Sequence, residues 1–196
     1  MGVLMLRTEP SRRGCWCFFV AAAFLAGCQA LLTEASVEGD ELCDEYCQTV
    51  SETCDDGDLQ YGSSEGCGDV CRTLEVGASD AESGNSVNCR LHYALEAAEA
   101  PETYCQAAGP GGNGVCGGKC ESFCQIQDEV CTDDNRQYNT ITECMSACAE
   151  FPDTESFSAD VLAGNTFACR LTHLTLAASS PNVHCPHIVP DSPVCR

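Results

Sequence analysis

The chain has 196 residues, a formal net charge of −21 and 19 cysteines. A charge this negative repels phosphate backbones, so nucleic acid is excluded as a partner. Sixteen of the cysteines lie between residues 43 and 195, an even number that predicts disulfide bonds and export from the reducing cytosol. The sequence contains no phosphate-binding loop, serine-nucleophile motif or zinc-protease motif, so we do not expect an enzyme.

Residues 1–27 have the pattern of a signal peptide. Arginines at positions 7, 12 and 13 precede an apolar run over residues 15–26. This run is too short to remain in a bilayer as a permanent helix, as is typical of a cleaved signal.

The signal ends in Leu25-Ala26-Gly27-Cys28, which resembles the lipobox of bacterial lipoproteins. The resemblance implies that Cys28 is lipidated, and that the membrane partner is reached through acyl chains. Gln29 stands where an aspartate would imply retention in the inner membrane. We therefore expect an outer-membrane lipoprotein, periplasmic or surface-exposed, with another envelope protein as the expected kind of partner. The alternative is an ordinary secretory signal that happens to end in a cysteine.

The rest of the chain is a tandem duplication that follows a short tether at residues 28–41. Repeat one, residues 42–117, has 3, 6, 12, 3, 17, 15 and 10 residues between its eight cysteines. Repeat two, residues 118–196, has 3, 6, 12, 3, 20, 15 and 9. Modules this small bury little apolar surface, and disulfides worth roughly 2–4 kcal/mol each supplement the core.

Each repeat begins with a predicted helical hairpin. In repeat one, cysteines at i, i+4 and i+11 mark one face of a first helix over residues 41–54. A second cysteine pair at i and i+4 follows an N-capping Ser63 or Thr140. The acidic turns between the helices lack the alternating ligands of a calcium loop, so we predict structural turns. Two helices with such pairs form an antiparallel hairpin, which predicts the bridges Cys43–Cys71, Cys47–Cys67, Cys120–Cys148 and Cys124–Cys144.

A third helix is predicted after each hairpin. Both repeats contain Gly-Asn-(Ser or Thr)-x-x-Cys-Arg-Leu, at residues 84–91 and 164–171. Asn85 and Asn165 are expected to cap this helix, which ends before Pro101 or Pro181, and the Gly- and Pro-rich remainder is expected to be loop. The remaining bridges are then Cys54–Cys89, Cys105–Cys116, Cys131–Cys169 and Cys185–Cys195. The predicted fold is mainly α, with two small disulfide-rich modules, each a helical hairpin plus a third helix.

An arginine follows the cysteine of this motif in both repeats, at Arg90 and Arg170. In a chain this acidic, we expect each arginine to form a salt bridge with a neighbouring carboxylate rather than to bind an anion.

Repeat two alone carries a group of histidines. His173 lies on the predicted third helix, and His184 and His187 bracket Cys185-Pro186 in the following segment. Their counterparts in repeat one are Tyr93, Tyr104 and Ala107. If the helix folds back on that segment, the three imidazoles form a site for zinc or copper; the alternative is that they are surface or packing histidines. No Cys-x-x-Cys-His occurs, so covalent haem attachment is excluded and non-covalent haem is a further alternative.

Three segments of repeat two, residues 131–138 (CTDDNRQY), 164–173 (GNTFACRLTH) and 184–187 (HCPH), carry a family resemblance. They resemble an eight-cysteine module of secreted proteins and lipoproteins in myxobacteria-like bacteria, over about 155 residues. The resemblance implies that His173, His184 and His187 occupy family positions, but it brings no known activity. The predicted function is a lipid-anchored cell-envelope protein with a non-enzymatic binding or structural role, and the alternative is a metal or haem carrier.

Overall fold

A computed structural model describes residues 39–196 of the chain. The predicted signal peptide, the lipidation site Cys28 and residues 28–38 of the predicted tether lie outside this range. Helix is present from residue 39 onward, so the prediction that the tether extends to residue 41 is wrong at its end. None of the helices within residues 39–196 has the length and apolar character needed to cross a bilayer.

The described residues are mainly helical, as predicted, and contain no β-strand beyond an isolated bridge between Glu75 and Ser86. Repeat one has helices α1 (residues 39–53), α2 (Ser64–Cys71), α3 (Val87–Glu96) and α4 (Pro101–Ala108). Repeat two has α5 (Lys119–Val130), α6 (Ile141–Ala149), α7 (Phe167–Ala177) and α8 (Pro181–His184). Short 3-10 turns occur at Asp56–Asp58, Gly112–Gly114, Asp133–Asn135 and Cys185–His187.

The helical hairpins are closed by the predicted disulfides. Bridges Cys43–Cys71 and Cys47–Cys67 join α1 to α2, and Cys120–Cys148 and Cys124–Cys144 join α5 to α6. The acidic segments between the helices form 3-10 turns. Helical periodicity alone was sufficient for these pairings, because residues four apart lie on one helical face.

The other four predicted bridges are wrong. The structure pairs Cys54 with Cys105 and Cys89 with Cys116, rather than Cys54–Cys89 and Cys105–Cys116. Repeat two has Cys131–Cys185 and Cys169–Cys195 in the same arrangement, rather than Cys131–Cys169 and Cys185–Cys195. The cause is a further helix in the segment predicted as loop. Pro101 and Pro181 are the first residues of α4 and α8. Proline is well suited to this position, because the N–H that it lacks would have no partner within the helix.

Two of the four predicted helix caps are also wrong. Ser63 and Thr140 accept hydrogen bonds from Gly66 N and Glu143 N, as expected. The third helix of each repeat is capped by Ser86 or Thr166, one residue after the predicted asparagine. Asn85 and Asn165 instead accept hydrogen bonds from the arginine of the shared motif, Arg90 or Arg170.

These arginines form no salt bridge, contrary to expectation. Arg90 is 0% exposed and Arg170 1% exposed, and no carboxylate within residues 39–196 pairs with either. Each guanidinium donates to the asparagine, to the N-cap carbonyl of its own helix and to two consecutive carbonyls of the C-terminal segment. We call this set the arginine clamp; its C-terminal acceptors are Gly109 O and Pro110 O in repeat one, and Val189 O and Pro190 O in repeat two.

The two repeats are in direct contact. Arg90 donates a fifth hydrogen bond to Ser122 Oγ of α5, at 3.1 Å, so the clamp of repeat one crosses into repeat two. Ser122 Oγ also donates to Asn85 Oδ1. Gly117 lies at this junction with a φ of 97°, where a Cβ atom would come within 2.8 Å of Asn85. Only glycine suits both the backbone conformation and the space.

Candidate metal centre

The three histidines of repeat two come together, as the sequence analysis considered for a metal site. His173 lies in the middle of α7, His184 is the last residue of α8, and His187 is the last residue of the following 3-10 turn. α8 follows α7 after a short connection, and both α8 and the 3-10 turn pack against α7, so His184 and His187 reach His173. We call these three residues the histidine cluster.

The ring nitrogens of the histidine cluster converge on one point. His173 Nδ1 lies 2.9 Å from His184 Nδ1 and 3.3 Å from His187 Nδ1. Nitrogen atoms of all three rings lie within 4.8 Å of one another. Lone pairs at such distances repel unless a positive group, either a proton or a metal ion, lies between them.

The protonation state of His173 follows from its second nitrogen. His173 Nε2 lies 3.2 Å from Leu162 O, and a carbonyl oxygen can only accept, so Nε2 carries the hydrogen. The Nδ1 lone pair therefore faces the cluster. Metal-binding histidines commonly donate their other N–H to a backbone carbonyl in this way, which fixes the ring orientation.

Burial favours the neutral forms of His173 and His184. It lowers the pKa of His173; the hydrogen bond to Leu162 O opposes the shift, and the charge of His187 adds to it. Burial also lowers the pKa of His184, with further lowering by His173 and His187. Since the ordinary value is about 6.5, both imidazoles are unprotonated at neutral pH, which is the form that binds metals.

The spacing suits a single ion. Zinc binds imidazole nitrogen at about 2.0–2.1 Å, so two nitrogens of a tetrahedral site are about 3.3 Å apart. The two shorter separations in the cluster, 2.9 and 3.3 Å, are close to this value. Cys169 and Cys195 also lie close to His173, but they are bonded to each other and have no thiolate to offer. Three nitrogen ligands therefore leave a fourth coordination position for water or another ligand.

Several contacts hold the segment that carries His184 and His187. The Cys131–Cys185 bridge attaches it to the end of α5 between the two histidines. Tyr138 donates from its hydroxyl to Ile188 O at 3.1 Å, and burial raises the pKa of Tyr138 to about 12, so this donor stays protonated. Arg170 of the arginine clamp then donates to the next two carbonyl oxygens, Val189 O and Pro190 O. The histidines are thus positioned by a disulfide, a tyrosine and an arginine, and none of these residues would be recognised from the sequence as part of a metal site.

The three matched positions of repeat one carry no imidazole. Tyr93 and Tyr104 occupy the positions of His173 and His184, with ring centroids 5.9 Å apart. The Tyr93 hydroxyl donates to Glu82 O. In both repeats the third helix meets the helical segment that follows it, which is one helix in repeat one and a short helix with a 3-10 turn in repeat two.

Three comparisons with known proteins bear on this site. The model of the BfoA family C-terminal domain matches two segments, residues 29–121 and 118–192, which supports the predicted tandem cysteine-rich module. Two curated proteins, one from each of two strains of Aspergillus niger, are each 33% identical to this chain over 70 residues. Both are named Aurasperone B biosynthesis cluster protein A. The matched stretch is 35% of this chain and 22% of each relative, so the chain spans about a fifth of their length. No solved structure matches the chain. The bacterial source and the lipoprotein signal stay predictions.

Proposed function

The chain belongs to the BfoA family through two tandem copies of its C-terminal domain, and we propose that the second copy binds one zinc or copper ion. The ligands are His173, His184 and His187. The observation that carries the proposal is the convergence of three ring nitrogens, at 2.9 and 3.3 Å from one another through His173 Nδ1.

The ligand set selects the kind of ion. Neutral imidazoles suit zinc and copper, whereas calcium and magnesium prefer oxygen ligands. Copper(II) binds nitrogen ligands more tightly than zinc by the general affinity order, so the availability of each ion decides which is held. A bare ion fits better than haem, because a porphyrin fills four positions around the iron and leaves two for protein ligands. The cluster offers three.

The proposed role is carriage or storage of the ion in an oxidising compartment, without catalysis. The eight disulfides support the compartment, since such bridges are rare in the cytosol. The lipobox at Cys28 supports attachment to the envelope, where the module exchanges its ion with other envelope components. The acidic surface supports this role by raising the local concentration of cations.

Titration of the oxidised protein with zinc and with copper tests the proposal. We expect one ion per chain, measured by calorimetry and by elemental analysis after dialysis. His184→Ala removes a ligand and lowers affinity by more than about 100-fold, beyond the effect typical of residues outside the ligand set.

His92→Ala is the matched control, because His92 is the one histidine outside the cluster. It leaves the stoichiometry and affinity unchanged. Failure to retain either ion, or an equal loss in the His92 and His184 variants, contradicts the proposal.

A further inference from the structure

Repeat one contains a cavity, and several of its lining residues are replaced by different residue types in repeat two. The cavity measures about 210 Å³ and lies beside α1, along the segment that leads into α2. Val50, Leu59 and Tyr61 line it, together with the disulfide-bonded Cys47 and Cys54. None of its lining residues carries a charge, although the net charge of the chain is −21.

The matching positions of repeat two carry larger polar residues. Gln127 stands at the position of Val50, Asp128 at that of Ser51 and Arg136 at that of Leu59. Arg136 and Asp128 form an ion pair at 3.1 Å. Gln127 is 1% exposed, and its Nε2 has no hydrogen-bond partner within the described part of the chain. The same scaffold therefore accepts larger and charged side chains in this region.

An open cavity costs folding stability, because its lining atoms lose packing contacts. Repeat two shows that substitutions at a few positions alter the region while the helices and disulfides persist. The open form in repeat one is thus a property of its side chains and not a requirement of the fold, which favours a binding role over a packing defect.

The polar side chains that line the cavity, besides that of Tyr61, are those of Ser51, Gln60, Ser63 and Ser64. Tyr61 contributes mainly its ring, since its hydroxyl lies 2.9 Å from the Tyr46 hydroxyl. Ser63 Oγ accepts from Gly66 N at 3.1 Å, and its hydroxyl hydrogen remains free to donate to a bound molecule. Ser64 lines the same end of the cavity, whereas Ser51 Oγ donates to Gln48 O. Apolar side chains on one side and the hydroxyls of Ser63 and Ser64 on the other suit a ligand that has a small apolar body and one oxygen acceptor.

We propose that this cavity binds a small uncharged molecule with one ring and one oxygen acceptor. The volume lies below the roughly 300–1,000 Å³ of sites for drug-sized ligands, so one ring is the appropriate size. The absence of charged lining residues disfavours ions of either sign, because a desolvated charge would find no partner. The apolar walls and the Tyr61 ring supply the contact surface.

Acetophenone, a neutral ring with one carbonyl, is a suitable probe for the oxidised full chain. We expect saturable binding, with nuclear Overhauser effects from the ring protons to the methyl groups of Val50 and Leu59. Benzoate has the same size but carries a charge, and it should bind at least about tenfold more weakly because of its desolvation cost.

Val50→Gln introduces the residue of repeat two and should lower acetophenone affinity at least about tenfold by occupying the space. A second variant, Ser51→Asp with Leu59→Arg, introduces the ion pair of repeat two and should have the same effect. The matched control is Gln127→Val in repeat two, which leaves the affinity for acetophenone unchanged.

Binding that persists equally in both repeat-one variants, contacts spread over the whole surface, or no saturable binding overturns the inference. His184→Ala should leave acetophenone binding unchanged. The inference therefore stands or falls separately from the metal proposal.

Discussion

The two repeats share their covalent framework but differ at three matched positions, which we call the tip: residues 93, 104 and 107 in repeat one and residues 173, 184 and 187 in repeat two. Both have four disulfides in the same order, and both have an arginine clamp on the C-terminal segment. Repeat one places Tyr93 and Tyr104 at the tip, and repeat two places imidazoles there. The comparison shows that the disulfides and the hydrogen bonds to main-chain carbonyls are common to both repeats and hold the fold. Side chains at a few positions determine what each repeat can bind.

Removing the disulfide that holds the segment after the third helix should have the largest effect on stability. Its effect on zinc binding should differ between the two repeats. Cys131→Ala with Cys185→Ala, and the equivalent Cys54→Ala with Cys105→Ala, open loops with sequence separations of 54 and 51. Chain entropy predicts a loss of about 4 kcal/mol in either case. Guanidinium unfolding measures it.

Metal binding distinguishes the two double variants. Cys185 lies between His184 and His187, so its loss releases both ligands and should abolish stoichiometric zinc binding. The repeat-one variant retains zinc under conditions where it remains folded. If both variants lose zinc equally, the bridges act on the whole molecule and the comparison between repeats fails.

Replacement of the clamp arginines should have the next largest effect. Arg90→Met or Arg170→Met keeps the side-chain length but leaves buried carbonyl oxygens without donors, at a cost of about 3 kcal/mol. Arg170 holds Val189 O and Pro190 O directly after the histidine segment. Arg170→Met should therefore also weaken zinc binding at least about tenfold, as for other residues that support a metal site.

Arg90→Met is the control, since Arg90 contacts repeat one and Ser122 but not the histidine segment. It should destabilise the protein and leave zinc affinity unchanged in the folded state. Unfolding curves and calorimetric zinc titrations on both variants provide the measurement. A weaker zinc site in the Arg90 variant would show that the clamps are not independent.

The smallest expected effect is on the pH dependence of stability without metal. Burial lowers the folded-state pKa of His173 and His184, so the unfolded chain takes up protons first as the pH falls. Stability should decline below about pH 6.5, and the loss should continue until the pH passes the lowered pKa values. Melting temperatures at pH 7.5, 6.5 and 5.5 provide the measurement.

His173→Tyr with His184→Tyr introduces the residues of repeat one and should flatten this part of the pH profile. An unaltered profile in the tyrosine variant would assign the pH dependence to other groups.

The hairpins were predictable because a single periodicity specifies them. Cys43 and Cys47, one turn apart, need only a second helix with the same spacing to define two bridges. The later pairings depended on α4 and α8, and Pro101 was interpreted as a stop when it is the first residue of a helix. Asparagine favours the N-cap position, which predicts Asn85 as the cap, but its side-chain oxygen accepts from Arg90 five residues later and Ser86 caps the helix.

The site was predictable in its residues but not in its geometry. His173, His184 and His187 stood out because repeat one lacks them. The contact that orients His173 comes from Leu162 O, a backbone atom in a segment whose length differs between the repeats. A carbonyl leaves no signature in sequence. For the same reason the clamp arginines were assigned to carboxylates, when their acceptors are mostly main-chain oxygens.

The arginine clamp has a consequence for how such a chain changes over time. Arg90 and Arg170 bond the C-terminal segment through main-chain oxygens, and a disulfide secures its start, so these contacts do not depend on which side chains stand at the tip. Mutation can then exchange one chemistry for another at the tip at little cost to folding. A duplicated module of this kind can keep one copy as it is while the other acquires a new ligand set. The same freedom makes residues 93, 104 and 107 of repeat one natural positions for engineering a second site.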